Sequence, residues 1–255
     1  MPSCLSHVRA LACRATALLV LAPYALAAQA GDCPAQVLPP FDAGAGSAPG
    51  WAHVPLSKLK RDTLYATARE DGKSVLTAVA EGAASAYVHL GRLDPARLPI
   101  LEWRWRTNAL IEAADNRDPK REDSPVRLIV GFDGDKSTLT GEEQRRLARA
   151  RKISGREPPY ATLMYIWENR APVDTVIPSA HSTRVKMIVV ESGPQGVGTW
   201  RTNRRNLLQD YRRAFGGTPQ GILGVAVMTD TDNTGAKAEG FYGEIRLSCA
   251  AAGDK

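Results

Sequence analysis

Apolar and polar side chains alternate along the segment Ile100-Leu101-Glu102-Trp103-Arg104-Trp105-Arg106, which makes it the clearest indication of the fold. A period of two places successive side chains on opposite faces of a β-strand. The two tryptophans therefore share one face of the strand with Leu101, and the two arginines share the other. We expect the tryptophan face to lie in a buried core. A sugar-stacking platform built from the two indole rings is the alternative interpretation.

Short runs of strand-forming residues, separated by turn signals, recur on both sides of this stretch. Asp71-Gly72 stands between two of them and is a strong signal for a β-hairpin. Sustained helical periodicity is scarce. The sequence therefore predicts an all-β fold, an antiparallel, jelly-roll-like β-sandwich with one or two short helices. The predicted strands are residues 63–68, 73–80, 85–90, 100–106, 126–132, 160–167, 183–190, 222–229 and 241–247.

Three segments depart from the strand pattern. Residues 141–152 are rich in Glu, Arg, Leu and Ala, and Thr140 precedes them as a candidate helix cap. Residues 202–215 end at a pair of glycines and carry apolar side chains at helical spacing. We expect this second segment to form a helix, beginning near Asn203, that crosses from one sheet to the other. Residues 42–50 predict a flexible loop.

The first thirty residues have the features of a secretory signal peptide. Arg9 and Arg14 precede an apolar run at residues 15–27, and small residues end at Ala27 and Ala30. We therefore expect a leader at residues 1–30, a single β-sandwich domain at residues 31–255, and a periplasmic or secreted location. An uncleaved N-terminal anchor is the alternative. The net charge of +6 falls to about +4 without the leader, too small an excess to indicate nucleic-acid binding.

Two cysteines remain after the predicted cleavage, one near each end of the mature chain. Cys33 and Cys249 are expected to form a disulfide, because an exported protein matures in an oxidising compartment. Such a bridge closes nearly the whole domain, for which the chain-entropy model gives about 5 kcal/mol of stabilisation. A pair of unpaired thiols is the competing interpretation.

The polar face of residues 100–106 suggests a ligand-binding surface. Arg104 has counterparts at alternate positions of other predicted strands: Arg127, Tyr165, Trp167, Arg184, Lys186, Tyr242, Glu244 and Arg246. If these strands share one sheet, guanidinium groups and aromatic rings form a shallow surface suited to carboxylates or sugar rings. An ordinary solvated face of alternating charge is the other interpretation.

The run Asp230-Thr231-Asp232-Asn233-Thr234-Gly235 resembles the start of a calcium loop. Carboxylate and amide oxygens are the ligands that calcium takes, so the sequence predicts a calcium site at Asp230, Asp232 and Asn233. Asp133 or Asp135 could complete this site from another loop. The twelfth position is Phe241 in place of a bidentate glutamate. A turn stabilised by Asp and Asn side chains is therefore the competing interpretation.

Charged residues also flank the predicted crossing helix. Arg205, Asn206 and Asp210 have two possible roles: a buried Arg–Asp pair that fixes the connection, or a contribution to ligand binding. Breaking a buried pair on one side costs about 3–5 kcal/mol. The stability of an Asp210 variant therefore separates the two roles.

Several of these motifs together resemble the bacterial domain-of-unknown-function family 3047. The resemblance rests on residues 103–106, residues 122–127, Arg205-Asn206 with Asp210-Tyr211 and Phe215-Gly216, and residues 229–234. The chain departs from the family pattern at Glu122, where the family often has Asp, and in a longer charged insertion around residues 145–156. The resemblance implies secretion and no established activity. A more distant likeness is to galactose-binding-like jelly rolls, which host both binding modules and enzymes.

These patterns predict an exported β-sandwich that binds a glycan or another acidic component of the cell envelope. Two other functions stay open: a carbohydrate-active enzyme, either a lyase or a glycosidase, and a structural envelope-assembly protein. The chain has no Gly-x-Ser-x-Gly or His-Glu-x-x-His motif, which argues against common serine and zinc hydrolases. A lyase site would require Tyr165, His89, Arg104 and Arg127 to converge. The sequence does not indicate an oligomeric state.

Overall fold

The computed structural model describes residues 35–41, 50–180 and 182–250. The strands are β1 (Ala35–Val37), β2 (Trp51–Pro55), β3 (Leu64–Glu70), β4 (Lys73–Glu81), β5 (Ala84–Leu93), β6 (Ile100–Thr107), β7 (Ser124–Asp133), β8 (Ala161–Glu168), β9 (Val176–Pro178), β10 (Val185–Ser192), β11 (Arg201–Asn206), β12 (Gly221–Asp230) and β13 (Lys237–Ser248). The α-helices are α1 (Gly141–Ser154) and α2 (Leu207–Phe215), and a short 3-10 helix spans Lys136–Thr138.

The strands form two sheets that pack face to face. Sheet 1 has the order β11-β6-β13-β4-β3, with β1 added to β13, and sheet 2 has the order β2-β5-β12-β7-β8-β10-β9. The strand pairs are antiparallel apart from β8 and β10, which run parallel. The predicted β-sandwich with two short helices is confirmed.

The core lies between the two sheets and follows the alternation seen in the sequence. Leu101, Trp103 and Trp105 of β6 are at most 1% exposed and belong to one apolar cluster. Sheet 2 adds Leu128 and Phe132 of β7 to the same cluster. The prediction that the two tryptophans are core residues is therefore confirmed, and their rings are not available as a sugar platform.

All nine predicted strands are present, with ends that differ by a few residues. Between β3 and β4, Asp71 and Gly72 both have positive φ, 51° and 73°, as a two-residue hairpin turn of type I′ requires. Four strands were not predicted. These are the short β1, β2 and β9, two of which contain proline, and the strongly charged β11.

The first helix agrees with its prediction. The Thr140 side chain accepts a hydrogen bond from Glu143 N, and the Glu143 side chain accepts one from Thr140 N in return. This reciprocal capping box satisfies two backbone donors that the first turn would otherwise leave unpaired.

The start predicted for the second helix is wrong, because residues 201–206 form β11 on the edge of sheet 1. The helix begins only after Asn206, whose side chain accepts from the N–H groups of Leu208 and Gln209. The expected crossing is confirmed, because α2 connects β11 of sheet 1 to β12 of sheet 2.

The predicted leader, Cys33 and residues 42–49 of the predicted loop lie outside the described residues. All described residues belong to the compact unit Cys33–Lys255. Within the described ranges, neither helix has the length and apolar character needed to span a membrane.

Candidate ligand-binding site

The structure does not bring the predicted polar face together in one sheet. Arg104 lies on β6 in sheet 1, whereas Arg127 lies on β7 in sheet 2. Each points away from the shared core, since Trp103 and Leu128, their neighbours on these strands, belong to it. Arg104 and Arg127 therefore lie on opposite outer faces of the sandwich. The expectation that these arginines converge is wrong.

Tyr165 and Trp167 were also placed on the wrong face. Both lie in the core between the sheets, where they are 0% and 1% exposed. The outward positions of β8, Met164 and Ile166, are apolar as well and contribute to a second cluster on the outside of sheet 2. Because both faces of β8 are covered, alternation along this strand could not distinguish inside from outside.

The four residues required for a lyase do not converge either. Tyr165 is in the core, Arg127 is buried on the outside of sheet 2, and Arg104 is on the outside of sheet 1. His89 lies on β5, where its ring packs against Trp51. The proposed combination of these side chains in one catalytic site is wrong.

Arg127 is buried in a polar cluster at the start of β7. Its Nε donates to Asp230 Oδ1 at 2.8 Å, and its Nη2 donates to Asn116 Oδ1 and to the Glu122 carbonyl. The side chains of Arg127 and Asp230 are 1% and 6% exposed. These contacts tie the loop before β7 to the end of β12.

The residues of the predicted calcium loop meet at this cluster. Oxygen atoms of Asp123, Asp230 and Asp232 lie within 4.8 Å of one another. Asp230 already accepts from Arg127, Asp232 forms an ion pair with Lys60, and Asp123 accepts from Thr234 N at 2.7 Å. Arg127 and Lys60 neutralise two of the carboxylates, and Thr234 N donates to the third. These contacts are those of a turn stabilised by Asp side chains.

Asn233 enters this turn as a donor. Its side-chain Nδ2 donates to the Glu122 carbonyl at 3.2 Å, and its backbone N donates to Asp123 Oδ1. Asp123, which the sequence did not assign to this site, also contributes a carboxylate to the oxygen cluster. Calcium binding stays a prediction, which melting curves recorded with calcium and with a chelator can check.

The titration of Asp230 can be predicted from its burial. Burial raises the pKa of Asp230 from 3.8 to about 6, although Arg127 opposes this shift. The more exposed Asp115 accepts hydrogen bonds from Arg117, which lower its pKa to about 2. Asp230 therefore stabilises the fold most below pH 4 and loses that contribution as the pH rises through 6, whereas the contribution of Asp115 is lost as the pH falls through 2.

We expect carbon-13 NMR of the side-chain carboxyl groups to resolve these two titrations. The Asp230 signal should titrate near pH 6 and the Asp115 signal near pH 2. A titration midpoint for Asp230 at or below pH 3.8 would show that the Arg127 charge outweighs the effect of burial on this pKa.

The predicted Arg–Asp pair beside the crossing helix is present. Arg205 donates to both oxygens of Asp210, at 2.9 and 2.6 Å, and Tyr165 Oη donates to Asp210 Oδ2 at 2.9 Å. Asp210 is 4% exposed. Arg205 Nη1 also reaches Asp174 Oδ1. The three hydrogen bonds to Asp210 join α2 to β8 and β11, so this geometry favours the structural role.

A cleft of about 400 Å³ opens where β13 changes its neighbour. The first half of β13 pairs with β4 as far as Tyr242, and its last residues pair with β1 from Arg246 onward. Between these two pairings lies a gap beside Gly243 and Glu244. The cleft occupies this gap, lined by Val37, Leu38, Pro39, Pro40, Phe41, Trp51, Lys73, Ser74, Arg104, Glu244 and Ile245.

Arg104 lies across Gly243 in this cleft. A Cβ atom at residue 243 would lie 2.4 Å from Arg104 Nε, so only glycine allows this position. The guanidinium carbon lies 4.3 Å from the centre of the Trp200 ring. Within the described part of the chain, no hydrogen bond or ion pair engages the Arg104 guanidinium. The hydroxyl of Ser74, in the same cleft, is buried and also lacks a hydrogen-bond partner.

Aromatic rings and arginines alternate next to the cleft on the outer face of sheet 1. Arg106 lies 4.2 Å from the Phe241 ring centre and 5.3 Å from that of Trp200, and it donates to Glu70. Trp200 Nε1 donates to the second oxygen of Glu70 at 3.1 Å. Arg106 is therefore held by a carboxylate, in contrast to Arg104.

Sequence reasoning identified Arg104 and Glu244 but missed most of the cleft. Gly243 and Ser74 carry no local signal of function, and Trp200 lies just before an unpredicted strand. Phe41 reaches the cleft from the N-terminal segment through the pairing of β1 with β13. Only the strand order, which the sequence does not encode locally, brings these residues together.

The strands define a jelly-roll-like β-sandwich with an open cleft on sheet 1. The chain belongs to the family DUF3047, described as a protein of unknown function, whose model matches residues 49–246. This match confirms the resemblance inferred from the sequence motifs. No curated protein matches the chain.

Solved structures with a similar fold include a family 11 carbohydrate-binding module from a cellulosomal cellulase of Clostridium thermocellum. It is 8% identical, with a TM-score of 0.41, and the match covers 85% of this chain and 95% of the module. Endoglucanase 3 of Trichoderma harzianum, from family GH12, is 7% identical, with a TM-score of 0.43 and coverage of 86% and 97%. At these identities the likeness concerns the sandwich fold alone.

Proposed function

We propose that this chain is an exported binding protein, periplasmic or secreted, that holds an acidic glycan in the Arg104 cleft. The leader predicted from the sequence supports export, and the cleft supports binding. Its volume of about 400 Å³ lies within the range of small-ligand sites, roughly 300–1,000 Å³.

The observation that carries the proposal is the state of the Arg104 side chain. It is partly buried at an apolar cleft, and no carboxylate among the described residues pairs with it. A partly buried guanidinium favours a planar anion, and a ligand carboxylate could accept two parallel hydrogen bonds from it. The Trp200 ring behind the guanidinium restricts its orientation.

The rest of the lining suits a sugar. Val37, Pro39 and Pro40 supply accessible apolar surface, the Ser74 hydroxyl is unpartnered, and Glu244 offers an acceptor for ligand hydroxyl groups. Glu244 is the one carboxylate among the described residues that line the cleft. Glycosidases of the common kinds use two carboxylates, so the cleft favours binding over hydrolysis.

A glycan array probed with the purified mature protein tests this proposal. We expect binding to oligosaccharides that carry carboxylates and loss of that binding in Arg104→Ala. Arg92→Ala is the matched control, because it removes an equal charge from an 82% exposed arginine on sheet 2. Equal binding by the wild type and Arg104→Ala would overturn the proposal. Release of reducing ends or unsaturated products from the array ligands would favour the enzyme alternative.

The variant Gly243→Ala should weaken glycan binding with little effect on stability. Its new methyl group would lie 2.4 Å from Arg104 Nε and 2.6 Å from Arg104 Cγ, so the whole arginine side chain would have to change rotamer and leave the cleft. We expect binding about tenfold weaker, corresponding to the loss of one charge-assisted hydrogen bond. Calorimetric titration and thermal melting measure the two effects separately.

Gly221→Ala is the control for Gly243→Ala, because a Cβ there meets its nearest neighbours at 3.8–4.0 Å, ordinary contact distances. Unchanged glycan affinity in Gly243→Ala would show that the position of Arg104 across Gly243 does not matter for binding.

A further inference from the structure

The helix α1 connects two strands of sheet 2, whereas Arg104 lies on sheet 1. The helix carries a second surface that the proposed function does not use. It spans 14 residues between β7 and β8, and none of its side chains is buried. A helix stabilised by packing normally buries an apolar face. Only Glu143 and Leu147 of α1 are partly buried, so most of the helix surface is available to a partner.

One face of α1 is fastened to the body of the protein. Glu143 accepts from the Thr183 hydroxyl at 2.8 Å, and Gln144 Nε2 donates to the Leu139 carbonyl at 3.0 Å. Arg151 pairs with Glu157 at 3.4 Å. These contacts fix the orientation of the helix and leave the opposite face outward.

The outward face carries a stripe of cations. Arg145, Arg149 and Lys152 have the spacing i, i+4, i+7, and at about 100° per residue they fall within about 60° of one another. They span roughly 10 Å along the helix axis. In the described part of the chain, none of the three forms an ion pair or hydrogen bond. The neighbouring Glu142 is neutralised by Arg146.

An apolar side chain lies among these cations. Ile153 is 57% exposed and, by the same helical geometry, lies about 40° from Arg149. A groove of about 600 Å³ runs beside it, with Ala150 and Ala180 in its wall. Basic side chains beside an exposed aliphatic residue suit an anionic lipid surface, because phosphates attract the charges and the headgroup boundary accepts the aliphatic side chain. A purely polar polyanion would make no use of Ile153.

We propose that α1 docks this protein on the phosphate-bearing surface of an anionic lipid bilayer. Arg145, Arg149 and Lys152 contact lipid phosphates, and Ile153 enters the boundary between headgroups and acyl chains. All four side chains are exposed, so the surface of a bilayer is accessible to each of them. This interaction is independent of the Arg104 cleft.

Co-sedimentation of the mature chain with vesicles tests this docking. We expect binding to vesicles of phosphatidylcholine mixed with phosphatidylglycerol, and no binding to phosphatidylcholine alone. Each basic residue near an anionic surface contributes about 1 kcal/mol, so Arg145→Glu/Arg149→Glu/Lys152→Glu should weaken binding at least about 100-fold. Ile153→Ser should weaken it by about threefold to tenfold. The fold should survive, because none of these side chains is buried.

The matched control is Lys58→Glu/Arg97→Glu/Arg212→Glu, which makes the same change of net charge at exposed residues elsewhere. Three outcomes would overturn the proposal. The first is equal binding to both kinds of vesicle, and the second is an equal loss of binding in the control variant. The third is unchanged binding in Ile153→Ser together with full competition by free phosphate or a soluble acidic polysaccharide.

Discussion

Replacing Cys33 and Cys249 by serine should lower the free energy of unfolding by about 5 kcal/mol, since the bridge would close a loop of nearly the whole domain. The strand register supports the pairing: Ala35 of β1 lies opposite Ser248 of β13. The segment that follows Cys33 therefore runs beside the segment that leads into Cys249. Denaturant unfolding of the wild type and the double variant measures the difference.

Treatment of the wild type with a phosphine reductant should reproduce this destabilisation, and the double variant should not respond to the reductant. Two titratable thiols in the untreated mature protein, with a melting temperature that does not depend on reductant, would show that the cysteines are unpaired. The disulfide prediction would then be wrong.

The variant Asp210→Ala should destabilise the protein by about 3–5 kcal/mol, because it leaves the Arg205 guanidinium without its buried partner. It also removes the acceptor of the buried Tyr165 hydroxyl. Urea unfolding followed by tryptophan fluorescence measures the loss. Ligand binding by the same variant, measured below its unfolding transition, separates the structural role from the ligand role.

The control for Asp210→Ala is Asp174→Asn, which removes the second carboxylate that contacts Arg205. The Asp174 side chain is 53% exposed, so the expected loss is less than about 1 kcal/mol. Asparagine is used because residue 174 has φ of 69°, a left-handed conformation that it tolerates. A stable Asp210→Ala protein that no longer binds its ligand would contradict the structural role.

The fold could be predicted from local patterns because most strands carry them. Alternation along residues 100–106 identified the core face of β6, and Asp71-Gly72 identified the hairpin between β3 and β4. The strand β11 was missed because its sequence, Arg-Thr-Asn-Arg-Arg-Asn, is charged and polar. Pairing with β6 supplies the stability that its side chains do not, and this depends on the tertiary structure.

The candidate site could be predicted only in part. Arg104 was identified because one face of β6 is solvent-facing and the other is core. Arg127 gave the same pattern, yet the loop before β7 and the methionines of β8 and β10 cover it. The cleft itself depends on β13 exchanging β4 for β1, a long-range feature with no local signature.

Calorimetric titration of Arg104→Ala tests the claim that Arg104 recognises the acidic group of a bound glycan. The ligand should be an acidic oligosaccharide from the array, compared with the same oligosaccharide after reduction of its carboxyl groups. We predict that wild type binds the acidic form about tenfold to a hundredfold more tightly than the reduced form, and that Arg104→Ala binds both forms equally weakly. Undiminished preference of Arg104→Ala for the acidic form would contradict the claim.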